Sequence, residues 1–239
     1  MRLGIIGAMD VEIAALKQAM EEKEEQTPAG MEVCLGTLEG LPVAVARCGV
    51  GKVNAALCVQ ILRDLCQVTH VVNTGIAGSL DPKLDIGDLV VSSDAMYHDF
   101  SCTVFGYSQG QVPGFPAAFP ADGELCRIAL EAAEEVYPGH ARMGRIASGD
   151  QFVCGTEQKE RISDLTEGLC TEMEGAAIAQ AAYRNNLPFV ILRAISDKAD
   201  NSAEMDYPSF EAAAAKRCAA VTMALAKRLG AAYRESGAK

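Results

Sequence analysis

The stretch GLCTEMEGAAIAQAAYRNNLPFVILRAISD, residues Gly168–Asp197, contains a strand, a helix and a second strand in thirty residues. GLCTEM reads as a strand. EGAAIAQAAYR has helical periodicity, and PFVILRAIS is the most apolar strand in the chain. The same stretch raises a problem of charge. Glu172 and Glu174 flank Met173 inside a run of small and apolar residues, where an ionised carboxylate is costly to bury unless something pairs with it.

Moving outward, the pattern repeats. LGII reads as a strand, followed by a helix with Asp10 as its N-cap and Ile13, Leu16 and Met20 at helical spacing. MEVCLGTLEGLPVAVARCG predicts two strands joined at Glu39-Gly40 as a hairpin. KVNAALCVQILRDLCQ is helical, and HVVNTG and LVVSS are buried strands by their β-branched content. A helix follows Asp122, RMGRIASGD is a strand, and TEQKERIS is a short helix capped by Thr156. SFEAAAAKRCAAVTMALAKRL closes the chain as a long helix. Strands alternating with helices over the whole length predict one α/β domain with a largely parallel sheet, residues 1–232, followed by a C-terminal tail at 233–239. The least regular region, 97–121, is long enough to be functional or interfacial.

Composition narrows the class. Of 239 residues, 49% are apolar, enough for a large core, and the formal charge of −11 disfavours nucleic acid and anionic membranes as partners. No stretch reaches the ~18 apolar residues of a membrane span. The N-terminal apolar run is too short for a signal peptide, so a cytoplasmic location is expected. Nine cysteines, with no CxxC pair and no histidine at metal-ligand spacing, read as reduced thiols, with neither a disulfide framework nor a metal site. GIIGAM lacks dinucleotide-loop spacing. GVGKVN fails the phosphate-loop pattern at Ala46 and Val53.

In an open α/β sheet, ligands bind beyond the carboxyl ends of the strands. Acids fall there: Glu12 after the first strand, Glu174 after GLCTEM, and Asp197 ending PFVILRAIS. Asp150 precedes a helix and reads as a cap. Several enclosed acids suit chemistry that creates a cation, such as N-glycosidic cleavage, in which one acid protonates the leaving base and another handles water. Carboxylate-lined cation or metal sites fit that pattern almost as well.

The blocks GIIGAMDVEI, NTGIAGSL, YHDFSCTVFGYSQGQVPG, SGDQFV, TEMEGAAIA and RAISDKAD, in this order and spacing, resemble the 5′-methylthioadenosine/S-adenosylhomocysteine nucleosidases of the purine nucleoside phosphorylase-like family. The resemblance runs to about residue 230 and implies a three-layer αβα sandwich with a central mixed, twisted β-sheet. It implies hydrolysis of the bond between adenine and a 5-thioribose, with no cofactor and no metal. By the resemblance, Asp197 donates a proton to purine N7, Glu12 activates water, and Glu174 holds the ribose hydroxyls. Arg193 helps place the water and the ribose, and Ser196 steadies Asp197. Phe152 stacks on the base, and the Val153 backbone reads its edge. Met9, Val50, Met173 and Tyr207 line the ribose and thioalkyl end. Cys102, Phe105, Tyr107 and Pro113 close that end from the neighbouring subunit of a homodimer. Glu172 is either a second ribose contact or a sheet-end acid paired by arginine. Ile76 stands where some relatives carry Ser, so Ser196 or backbone amides must orient Asp197. Lys198 is expected to point away from the site.

Three alternatives compete. A phosphorylase on this fold needs an anion site, and the early loops here carry acids and no arginine. A 6-amino-6-deoxyfutalosine nucleosidase differs only in substrate. A non-catalytic nucleoside-binding protein would lack at least one of Glu12, Glu174 and Asp197, and all three are present.

Overall fold

A computed structural model describes residues 1–237, with side chains described through 234. Strand β1 (Leu3–Gly7) shows how the layers arise. Leu3 and Ile5 enter one apolar cluster, and Ile6 enters another. Alternate side chains leave opposite faces of a strand, so both faces of this one are covered. The hairpin of β3 (Glu32–Leu38) and β4 (Leu41–Arg47) behaves likewise, with Val43 and Val45 on the first side and Ala44 and Ala46 on the second.

Helices supply the covers. α1 (Asp10–Ala19), α3 (Gly123–Val136) and α6 (Ala203–Gly237) pack on the first side through Ile13, Leu16, Leu125, Ile128, Val221 and Leu225. α2 (Lys52–Cys66) and α5 (Gly175–Arg184) pack on the second through Cys58, Val59, Leu62, Ile178 and Ala182. The result is a single α/β domain of three layers, helices on both faces of a mixed sheet. α4 (Thr156–Thr166) lies beside the sheet, its Ile162 in a small separate cluster with Leu80 and Val153.

The sheet is not simply open. Its order is β10 (Phe189–Asp197), β6 (Leu89–Tyr97), β8 (Ala141–Ser148), β9 (Cys170–Glu172), β5 (His70–Ser79), β1, β4, β3 and β2 (Glu21–Gln26). β10 also pairs in parallel with β5, so five strands close into a ring and the other four extend from it. A two-residue strand, β7 (Phe119–Pro120), pairs with β6. Closure draws the ends of β5, β9 and β10 around one hollow.

Several local expectations shift. Asp10 does not cap α1. Met9 occupies the cap position, and the Glu12 carboxylate accepts from the Ala8 and Met9 backbone N–H groups at 2.6 and 3.0 Å. Gly155, not Thr156, precedes α4, which runs on to Thr166. The sequence EEKEEQ, without apolar periodicity, forms the edge strand β2; charges on an exposed edge discourage pairing with another chain. α6 starts at Ala203, before Pro208, and continues through residues 233–237 of the expected tail. The last two residues of that tail lie outside the described residues. Glu39 and Gly40 both take positive φ, +52° and +74°, as a two-residue hairpin turn requires.

Candidate active site

A cavity of about 410 Å³ opens at the carboxyl ends of β1, β5 and β10, closed on one side by β9 and at its mouth by the start of α6. A β-bulge shapes it. Ile195 pairs with Ala77 and Asp197 with Gly78, which leaves Ser196 as an extra residue on β10. Without the bulge, alternation would send Ser196 and Asp197 to opposite faces. With it both line the cavity.

The deepest part is an ionic cluster around Arg193, which is 1% exposed. Its Nη2 donates to Glu172 Oε2 and, at 2.7 Å, to Asn73 Oδ1, and lies 3.5 Å from Glu174 Oε2. Its Nη1 lies 3.7 Å from Glu12 Oε1. A Cβ on Gly75 would collide with both the Arg193 guanidinium and the Glu12 carboxylate, so only glycine leaves room for this pair. Backbone donors complete the shell. Ile76 N–H reaches Glu12 at 3.1 Å, and Gly51 N–H reaches Glu174 Oε1 at 2.8 Å.

Glu172 is a structural member of this cluster. Besides Arg193 it accepts from Ser148 Oγ, from Glu174 N–H at 3.1 Å, and from Gly175 N–H at 2.8 Å. Both its oxygens are engaged within the protein, as in the arginine-paired alternative, and its side chain also lines the cavity. Glu174, by contrast, has one oxygen whose nearest cation is 3.5 Å away.

One guanidinium serves three buried carboxylates. Burial pushes the Glu174 carboxyl up to about 7, the charge of Glu172 adds to that rise, and Arg193 opposes it. Burial also raises Glu12, against Arg193 and three backbone donors.

Asp197 sits apart from the arginine. Ser196 Oγ–H donates to its Oδ2 and Ala199 N–H to its Oδ1, each at 2.8 Å. Burial raises its pKa against these two neutral donors, and Asp206 and Asp200 raise it further. The hydroxyl and the amide supply the orientation that Ile76 cannot. Lys198 does point away, its Nζ donating to Leu84 O and lying 3.1 Å from Asp85.

The remaining expected residues also gather here. Ile76, Val153 and Met173 line the walls, and Met9, Val50, Phe152 and Tyr207 surround the mouth. Phe152 and Tyr207 meet edge-to-face with ring centroids 5.4 Å apart. Cys102, Phe105, Tyr107 and Pro113 do not line the cavity of this chain. They lie on the irregular segment between β6 and β7, where Phe105 is 78% exposed. Asp150 is a cap, but of α2 rather than α4: its Oδ1 accepts from Lys52 N–H at 2.9 Å. Gly78, Ala77 and Thr171 line the cavity without having been singled out from sequence. The small residues of NTGIAGSL, at a strand end, carried a usable sign of close ligand approach. Thr171 carried none. Among the described residues no cluster of metal-ligating side chains occurs, and no helix is long and apolar enough to cross a membrane.

A sheet that closes on itself, with its acids gathered at the carboxyl ends, agrees with the comparison with known proteins: the chain belongs to the phosphorylase superfamily, whose family model matches residues 2–227. It is 42% identical over 231 residues to the 5′-methylthioadenosine/S-adenosylhomocysteine nucleosidase of Halalkalibacterium halodurans, covering 96% of this chain and 99% of the relative. The crystal structure of the Neisseria meningitidis nucleosidase with methylthio-immucillin-A matches with a TM-score of 0.93 and 36% identity, over 95% and 99% of the two chains. A futalosine hydrolase of Helicobacter pylori matches with a TM-score of 0.91 and 31% identity, over 95% and 97%. These likenesses place the chain with the 5′-methylthioadenosine/S-adenosylhomocysteine nucleosidases of that superfamily.

Proposed function

We propose that this enzyme hydrolyses the N-glycosidic bond of 5′-methylthioadenosine and S-adenosylhomocysteine, releasing adenine and the 5-thioribose product. The observation that carries this reading is the division of the acids within one cavity: three clustered on Arg193, and one, Asp197, held by neutral donors alone. Two different environments set two different proton affinities, which is what acid and base roles in one site require.

In this reading Asp197 enters protonated and donates to purine N7. The C1′–N9 bond breaks, its electron pair leaves with adenine, and the ribose becomes an oxocarbenium-like cation. The carboxylate end stabilises that cation, and the free oxygen of Glu174 holds the ribose hydroxyls. Glu12 accepts a proton from water as the oxygen bonds to C1′, and Arg193 fixes the orientation of Glu12 and Glu174. Phe152 packs on the base, whose edge meets the Val153 backbone. Residues 1–232 make up the catalytic domain in this reading, the boundary falling inside α6, which continues to Gly237. A second copy of the chain supplies Cys102, Phe105, Tyr107 and Pro113 to the thioalkyl end, giving a homodimer. Nine free thiols suit a reducing compartment, the cytoplasm.

Phosphorolysis is disfavoured because the arginine lining the cavity is engaged by three glutamates, so an incoming phosphate meets net negative charge. The likeness to a futalosine hydrolase makes 6-amino-6-deoxyfutalosine the second substrate to try. The deciding experiment measures adenine and free thioribose released from each nucleoside with and without phosphate. Equal release of free sugar in both supports hydrolysis; a sugar phosphate, or no adenine from any of them, overturns it.

A further inference from the structure

The wall across from Asp197 carries a hydroxyl that the proposed chemistry leaves unused. Thr171 is the middle residue of β9, is 5% exposed, and lines the cavity. Its Oγ1 has no hydrogen-bond partner among the described residues. Its two neighbours on the strand are accounted for, Cys170 in the apolar core and Glu172 on Arg193. Valine would fill the same shape on this strand. A buried hydroxyl in its place carries a desolvation cost that only a partner offsets.

The sheet register says where that partner lies. Asp197 pairs with Gly78, and Gly78 pairs with Thr171. Residues paired across neighbouring strands project from the same face, and two strand spacings separate the outer members by about 10 Å. Gly78 puts no side chain in the middle, and a Cβ there would stand 2.8 Å from both Asp197 Oδ1 and the Ala199 Cβ. The row therefore runs carboxyl, glycine, hydroxyl, and all three residues line the cavity. A flat two-ring base lying along this row meets both ends of it.

We infer that Thr171 is a specificity-determining residue whose hydroxyl donates a hydrogen bond to the base at the edge away from N7, where purine N3 is the acceptor. The inference rests on the assignment of Asp197 to N7 made above. It gives the site a means of distinguishing a purine from an analogue lacking nitrogen at position 3, independent of the proton-donating end.

The test is a binding cycle by calorimetry with adenine, 3-deazaadenine and 7-deazaadenine, on the wild type, Thr171→Val and Thr171→Ser. The wild type should bind adenine about fivefold more tightly than 3-deazaadenine, the usual worth of one neutral hydrogen bond. Thr171→Val should abolish that difference while leaving the 7-deaza penalty intact, and Thr171→Ser should restore it. A 3-deaza penalty unchanged in Thr171→Val overturns the role of Thr171 alone. Absence of any 7-deaza penalty in the wild type overturns the Asp197 assignment, and this inference with it.

Discussion

The two ends of the cavity solve the same problem differently. At the ribose end, Glu12, Glu172 and Glu174 are buried around one guanidinium and a set of backbone donors. At the base end, Asp197 is just as buried but has only a hydroxyl and an amide. A buried cation favours ionised carboxylates beside it, and neutral donors favour the ionised form too but do not offset burial at Asp197, whose pKa is raised. The difference teaches that burial alone assigns no chemical role. The partner does.

Breaking the base end should have the largest effect. Asp197→Asn removes the proton but keeps the shape, so kcat for adenine release should fall by about 10²–10⁴-fold, the usual worth of a general acid. Adenine binding should be largely retained. Turnover near wild type would remove the acid role from Asp197.

The ribose end should break structurally. Arg193→Met leaves three buried carboxylates without their cation, and loss of one partner of a buried ionic group typically costs about 3–5 kcal/mol. Chemical denaturation of the variant measures this directly. A loss below about 1 kcal/mol, the scale of a surface ion pair, would mean that the cluster is not buried in solution.

A third prediction sharpens the contrast through pH. The Glu174 carboxyl titrates at about 7 in the folded protein against 4.5 for an ordinary glutamate. Between these values the native state holds a proton that the unfolded state has released. Stability should therefore fall as pH rises through that window, by at most about 1.4 kcal/mol per pH unit from this group. Glu174→Gln should flatten the dependence of Tm on pH over the same range. An unchanged slope would assign the proton to another group.

The smallest effect belongs to Ser196→Ala. It removes a donor that favours the ionised form of Asp197, so the alkaline limb of the kcat/KM profile should move to higher pH, by less than about one unit. Movement to lower pH would contradict the hydrogen bond from Ser196.

Much of this was legible in the chain. Glu12, Glu174 and Asp197 stood at strand ends, and the irregular segment between β6 and β7 stood out as a loop. What escaped reading depends on partners remote in sequence. Asp150 precedes α4, yet caps α2, because the loop before α2 folds back to it. Glu172 has the same immediate setting as Glu174, and their different partners, Ser148 for Glu172 and Gly51 N–H for Glu174, are remote in sequence. β2 has the composition of a solvated charge run and becomes a strand because β3 offers it an edge. Thr171 looks like any β-branched strand residue until the register sets it in line with Asp197.

Sequence by itself determined the alternation of strands and helices, the apolar faces that cover the sheet, and the presence of acids at strand ends. These follow from local periodicity, because burial on one face or two is written into residue spacing. Only the tertiary structure decided the pairing of β10 with β5, the bulge at Ser196 and the sharing of Arg193 among three glutamates. Those features depend on which distant segments meet, and the charge state of a buried carboxylate is set by its neighbours in space.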